Sequence, residues 1–189
     1  MWQVVLYINP ATVALFVVAV VALSATVAWW HHRSNGVLPR RAAGAMLAAW
    51  TALALAATIM PTQPLGTGGY DIFLTPGEGL WNSDEGGAGL FASEREMIVR
   101  LQIANAAMFV PLASLLSFCA PRWSAGRVVA VCLSLSVLIE TVQFAMAAGR
   151  TVDVDDLLFN TVGAVLGVAA ARGALFVVGR LSPSRVRRA

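Results

Sequence analysis

The sequence predicts an all-α polytopic membrane bundle of five transmembrane helices, with its N-terminus outside and its C-terminus in the cytoplasm. Three observations predict it. Apolar residues make up 58% of the 189-residue chain and charged residues only 12%, with a mean hydropathy of +0.74. A soluble domain carries roughly 25% charged residues, so this chain holds too few to cover a water-facing surface. Five stretches are long and apolar enough to cross a bilayer, which takes about 20 residues. The arginines alternate from one side of those stretches to the other in one consistent sense.

The first stretch, 10–30, is uncharged and ends on Trp29 and Trp30, which suit a membrane interface. It is too long for the apolar core of a cleavable signal, and no basic residue precedes it, so it is expected to stay as a helix. The second, 42–60, is uncharged, rich in Ala and stopped by Pro61. The third, 101–119, is interrupted by Asn105 and Pro111. A proline inside a helix leaves the carbonyl four residues back without its donor, here Ala107, and bends the helix. The fourth, 128–148, carries Glu140 and Gln143. The fifth, 156–178, carries Asn160 near its start and Arg172 near its end.

Orientation follows from the arginines. Ten of the 13 basic residues, all Arg, fall on one side: Arg33, Arg40, Arg41, Arg122, Arg127, Arg172, Arg180, Arg185, Arg187 and Arg188. No acid accompanies them. The other side holds Arg95, Arg100 and Arg150 with nine of the ten acids. Only an odd number of spans keeps this alternation, and the Arg-rich side is read as cytoplasmic. The absence of Lys hints at a GC-rich coding bias and says nothing of function.

This divides the chain into two N-terminal helices (1–60), an acidic extracytoplasmic loop (61–100), a three-helix core (101–180) and a basic tail (181–189). The loop is rich in Gly and Pro through residue 89 and is expected to be irregular. Ser93-Glu94-Arg95-Glu96 has the spacing of a capping box, so a helix is expected to begin near Ser93 and run into the third span. Cys119 and Cys132 fall near the inner ends of spans and read as small core residues rather than a disulfide.

A polar group in hydrocarbon is costly unless it has a partner or faces a cavity. Polar residues inside the spans are therefore the informative ones. With a helix from Asp153, positions 153, 156, 160, 163 and 167 share one stripe. Its top is acidic, its middle is Asn160, and its bottom is Gly163-x-x-x-Gly167, a spacing that lets another helix approach closely. Asp153 and Asp156 also suit a helix N-terminus, so capping explains them as well. Glu140 and Gln143 share a face of the fourth span. Glu140 lies roughly 12 Å below the outer end of its helix and Asn160 roughly 8–10 Å below the start of its own. The short connection makes these helices antiparallel neighbours. Asn105, Glu140, Gln143 and Asn160 are then expected to line a polar pocket, with Arg150, Asp153 and Asp156 at its outer mouth. The same residues also read as a hydrogen-bonded network that only joins helices.

These residues resemble the VanZ-like family of bacterial membrane proteins. The matching parts are Asn105-x-x-x-Phe109-x-Pro111, then Glu140-x-x-Gln143, then Arg150-x-x-Asp153-x-x-Asp156-x-x-x-Asn160-x-x-Gly163. They lie between residues 101 and 173. The family's usual Gly shortly after the Pro is replaced by Ala113 or Ser114. The founding member of the family is associated with low-level resistance to the glycopeptide teicoplanin. The resemblance implies a multi-pass protein of the bacterial cytoplasmic membrane with a role in the cell envelope.

Three functions are compatible with the pocket. It can bind an amphiphile, such as a lipid-linked envelope precursor or a lipophilic antibiotic, with Arg150 against an anionic head group. It can be an intramembrane enzyme acting on a lipid phosphate through Glu140 and the carboxylates of Asp153, Asp155 and Asp156. It can belong to a transporter, although five spans without a repeat are few for alternating access. No cofactor, metal site or nucleic-acid partner is expected. The lipid bilayer is the expected surrounding partner.

Overall fold

A computed structural model describes residues 8–34, 37–61, 63–68, 72–77, 92–148 and 152–181. Five helices account for nearly all of them: α1 (Pro10–Arg33), α2 (Val37–Ile59), α3 (Ala92–Cys119), α4 (Ala125–Met146) and α5 (Val154–Leu181). Each is long and apolar enough to cross a membrane. Two short strands, β1 (Ile72–Phe73) and β2 (Val152–Asp153), pair in parallel, Ile72 with Val152 and Phe73 with Asp153.

The helix limits follow local chemistry. Asn9 caps α1 by accepting from the N–H groups of Ala11 and Thr12, and Thr12 returns the bond to the Asn9 N–H. Pro10 then occupies a position whose N–H has no helical partner anyway. The α1–α2 connection is shorter than the hydropathy suggests. Arg40 and Arg41, expected in a loop, lie within α2, and Arg127 lies in the first turn of α4. Apolar windows mark the hydrocarbon core, whereas helices continue past it while long Arg side chains reach the interface. The helix expected from Ser93 begins at Ala92, and Arg100 pairs with Glu96 one turn away. It runs without interruption through Pro111 to Cys119. There the Trp50 indole N–H donates to the Met108 carbonyl at 2.8 Å, beside the carbonyl that Pro111 frees.

The tightest packing in the bundle is between α3 and α5. A Cβ added to Gly163 would lie 2.1 Å from the Ala106 carbonyl oxygen, and one at Gly167 would lie 2.2 Å from that of Val110. The two backbones touch, and only glycine allows it. Ala106 faces Gly163 and Val110 faces Gly167, so the two helices run in the same direction. α4 packs against α5 as expected, but less closely. Phe109, Leu112, Ala113, Val128, Cys132, Ile139, Ala164 and Val168 form one core around this seam. A second cluster, including Val27, Ala28, Ala43, Phe118 and Ala171, joins α1 and α2 to it. Cys119 and Cys132 are free thiols.

Candidate functional site

The polar residues gather at the end of the bundle where α5 begins. The α4–α5 connection forms its rim. α4 ends on Ala147, held in the left-handed region (φ 44°, ψ 49°). The last carbonyls of α4 are then taken by the loop that follows α2. Gly66 N–H donates to Met146 O at 3.1 Å and Gly68 N–H to Ala147 O at 2.8 Å. The same loop pairs β1 with β2. Thr75-Pro76-Gly77 then makes a turn in which Gly77 has φ +76°, the conformation of the third residue of a type II turn. The described residues of the loop expected to be irregular, 63–68 and 72–77, thus form a strap laced across the rim from turns and two strand residues.

The three acids at the start of α5 have three different positions. Asp153 caps the helix, its Oδ1 accepting from the Asp155 N–H at 2.8 Å. Asp155, buried, holds the strap: the Gly77 N–H donates to both of its carboxylate oxygens, at 2.9 and 3.1 Å. Asp156 points into the bundle, where Asn105 Nδ2 donates to its Oδ1 at 2.6 Å. The Gln102 side chain, one turn before Asn105 on the same face of α3, reaches the same carboxylate.

Deeper polar residues fall into separate contacts. Asn160 Nδ2 donates to Ser136 Oγ at 2.8 Å, joining α5 to α4. Glu140 is 7% exposed and lies one turn from Ser136 on the same face of α4. Since α4 and α5 are antiparallel, that turn brings Glu140 to the level of Asp156. Gln143 departs from expectation. Its Nε2 donates to the Thr58 backbone carbonyl of α2 at 2.8 Å, not toward Asn160. Thr58 sits in the last turn of α2, whose carbonyls lack helical donors, so Gln143 closes that helix end.

Of the sequence-predicted residues, Asn105 and Asp156 are thus brought together. Glu140 and Asn160 lie on the same two facing helices, and Gln143 is turned aside to α2. Gly163, Gly167 and Pro111 belong to the seam between α3 and α5. Arg150 lies outside the described residues. Sequence reasoning missed Gln102, Ser136 and Thr58, and it left Asp155 out of the pocket. Gln102 was detectable, because it is three residues from Asn105. The roles of Ser136 and Thr58 carried no local signal, since most Ser and Thr in membrane helices bond to their own backbone.

The cluster is rich in hydrogen-bond acceptors. Gln102 Oε1 and Asn160 Oδ1 are buried and have no hydrogen-bond partner among the described residues. With the carboxylates of Asp156 and Glu140 at the same end, the arrangement suits a group that donates hydrogen bonds. No group of three or more His, Cys, Asp and Glu side chains among the described residues is placed to hold a metal ion.

Five membrane-length helices, a glycine seam and a polar cluster under a strap define a multi-pass membrane protein with an internal polar site. A family model described as VanZ/LLP1 matches residues 11–177, and the chain belongs to that family. The match extends over α1 and α2, beyond the residues whose motifs carried the resemblance. No curated protein and no solved structure matches the chain.

Proposed function

We propose that this VanZ/LLP1 protein is an accessory protein of the bacterial cell envelope that binds the polar head of an amphiphile in the cluster beneath the strap. In this reading it sits in the cytoplasmic membrane with its N-terminus out and its C-terminus in. Residues 1–60, 61–100, 101–180 and 181–189 then supply two supporting helices, an extracytoplasmic strap, the binding core and a basic inner tail. The ligand is a lipid-linked precursor or a glycopeptide or lipopeptide antibiotic, and resistance to the latter is one consequence.

The observation that carries the reading is the half-buried Asp156 carboxylate held by the buried Asn105 and Gln102 side chains in an apolar bundle, at the level of the buried Glu140. A carboxylate is a costly way to join helices where an amide would suffice. Asp156 and Glu140, together with the acceptors of Gln102 and Asn160, offer a cradle to a donor-rich head group. Arg150, which falls in the α4–α5 connection of the sequence, is assigned in this reading to an anionic group of the same ligand. An enzyme using all the carboxylates is supported less well, because Asp153 is engaged as a helix cap and Asp155 holds the strap.

The test is binding of a fluorescent lipopeptide and of a lipid-linked precursor to the purified protein in nanodiscs. Asp156→Asn and Glu140→Gln are expected to weaken binding at least about tenfold, as loss of a charged hydrogen-bond partner does. Arg150→Ala is expected to weaken it only for anionic ligands. Binding that is equal in all of these variants overturns the reading. A tag at residue 80 that reacts only from the cytoplasm would remove the outward-facing site with it.

A further inference from the structure

We infer that the turn between α3 and α4, at the opposite end of the bundle, binds the phosphate of an anionic lipid through Arg122, Arg127 and Arg172 arranged around Trp123. Arg172 Nη2 donates to the Trp123 backbone carbonyl at 3.0 Å. The Arg127 guanidinium lies over the Trp123 ring, 5.8 Å from its centroid. Arg122 is the neighbouring residue in the turn. Two guanidinium groups, one from α4 and one from α5, thus meet at one tryptophan, and Arg122 precedes it in the turn between α3 and α4.

A signal for membrane orientation needs only positive charge somewhere on the inner side. Here the charges are held in place. Arg127 is oriented by the ring and Arg172 by the carbonyl, so less side-chain freedom is lost when a ligand binds. A guanidinium has five N–H donors in a planar fork that matches phosphate oxygens, and the bond to Trp123 leaves most of those of Arg172 available. All three side chains belong to exposed residues. No acid lies on this side of the sequence to compete for them. The positive end of the α4 dipole points the same way, and a Cβ at Gly126 in that first turn would meet nothing within 4 Å.

The apolar surroundings select a lipid over a soluble phosphate. Arg172 marks the level of the turn on α5, yet α5 continues to Leu181. At 1.5 Å per residue the helix extends roughly 13 Å past the arginines. Phe176, one turn beyond Arg172 on the same face, is 62% exposed, and Val177 beside it is 51% exposed. Arg180 stacks on Phe176 at 4.8 Å from the ring centroid. Toward the middle of the bundle, Val165, two turns before Arg172 on the same face of α5, is 50% exposed, and Val131, one turn after Arg127 on α4, is 40% exposed, so a phosphate at the turn has apolar helix faces on its membrane-interior side for an acyl chain.

The experiment is native mass spectrometry of the full chain, released from detergent containing equal amounts of phosphatidylglycerol and phosphatidylcholine. The wild type is expected to retain phosphatidylglycerol in preference. The double variant Arg127→Gln/Arg172→Gln is expected to lose at least about tenfold of that retention, from about fivefold per arginine at a membrane surface. Arg95→Gln, at the other end of the molecule, is expected to change nothing. If the double variant does not fold, Arg127→Gln alone is expected to show the fivefold loss. Retention unchanged in the folded arginine variants overturns the proposal, as does equal retention of the two lipids by the wild type. Complete displacement of phosphatidylglycerol by millimolar inorganic phosphate would overturn the lipid assignment.

Discussion

The α3–α5 seam and the α1–α2 pair are made of similarly apolar residues, yet they sit in different surroundings. On α1, Leu15, Val18 and Val21 are exposed, and so is Leu53 on α2. Between α3 and α5, two backbones touch at glycines, and nearly every position of α3 from Phe109 to Phe118 is buried. Lipid tails are as apolar as leucine, so apolar surface does not by itself draw two membrane helices together. Small residues that permit close approach, and polar groups that need partners, decide which helices meet. The outer helices are fastened by few polar contacts of their own: Ser24 to Ser114 at 3.0 Å, the Trp50 indole to Met108, and Gln143 to Thr58.

The largest expected effect is at the seam. Gly163→Leu should push α5 off α3 and prevent a stable fold, because a side chain there meets a backbone carbonyl rather than a movable group. Thermal unfolding in detergent should show loss of the cooperative transition, and a transition like that of the wild type would break the comparison. Next is Asn105→Ala, which leaves the half-buried Asp156 carboxylate with one amide donor, Gln102, in place of two and should cost about 1–3 kcal/mol. Gly77→Ala should cost about 1–2 kcal/mol locally, from a side chain in the left-handed region. It should raise hydrogen exchange in the strap more than it lowers the global melting temperature. Gln143→Leu should cost about 0.6 kcal/mol, the usual value for one bond between membrane helices, and should free the end of α2. The smallest effect is Val18→Ala on the lipid face of α1, expected within about 0.5 kcal/mol. A larger loss there would mean that α1 packs against something besides lipid.

Much of the candidate site was legible because hydrocarbon makes polar residues conspicuous. Asn105, Glu140, Gln143, Asp156 and Asn160 stand out against apolar neighbours, and helical spacing places them on faces. Partners were less legible. Gln143 points to α2 because a helix end there has unpaired carbonyls, and no spacing within α4 announces that. Asp155 and Asp156 are adjacent in sequence but point about 100° apart around the helix. One therefore meets the strap and the other meets Asn105.

By itself, the sequence determined the helix count, their approximate limits and the stripe that ends in Gly163 and Gly167. These depend on hydropathy and on periodicity along one chain, which are local properties. Only the tertiary structure decided that the stripe packs on α3, that Gly77 reaches Asp155, and that Arg172 meets Trp123. Each of those contacts joins residues at least 49 positions apart. Such pairings are set by which backbones can approach and which buried groups need a donor or acceptor, and a sequence pattern read along one helix does not contain them.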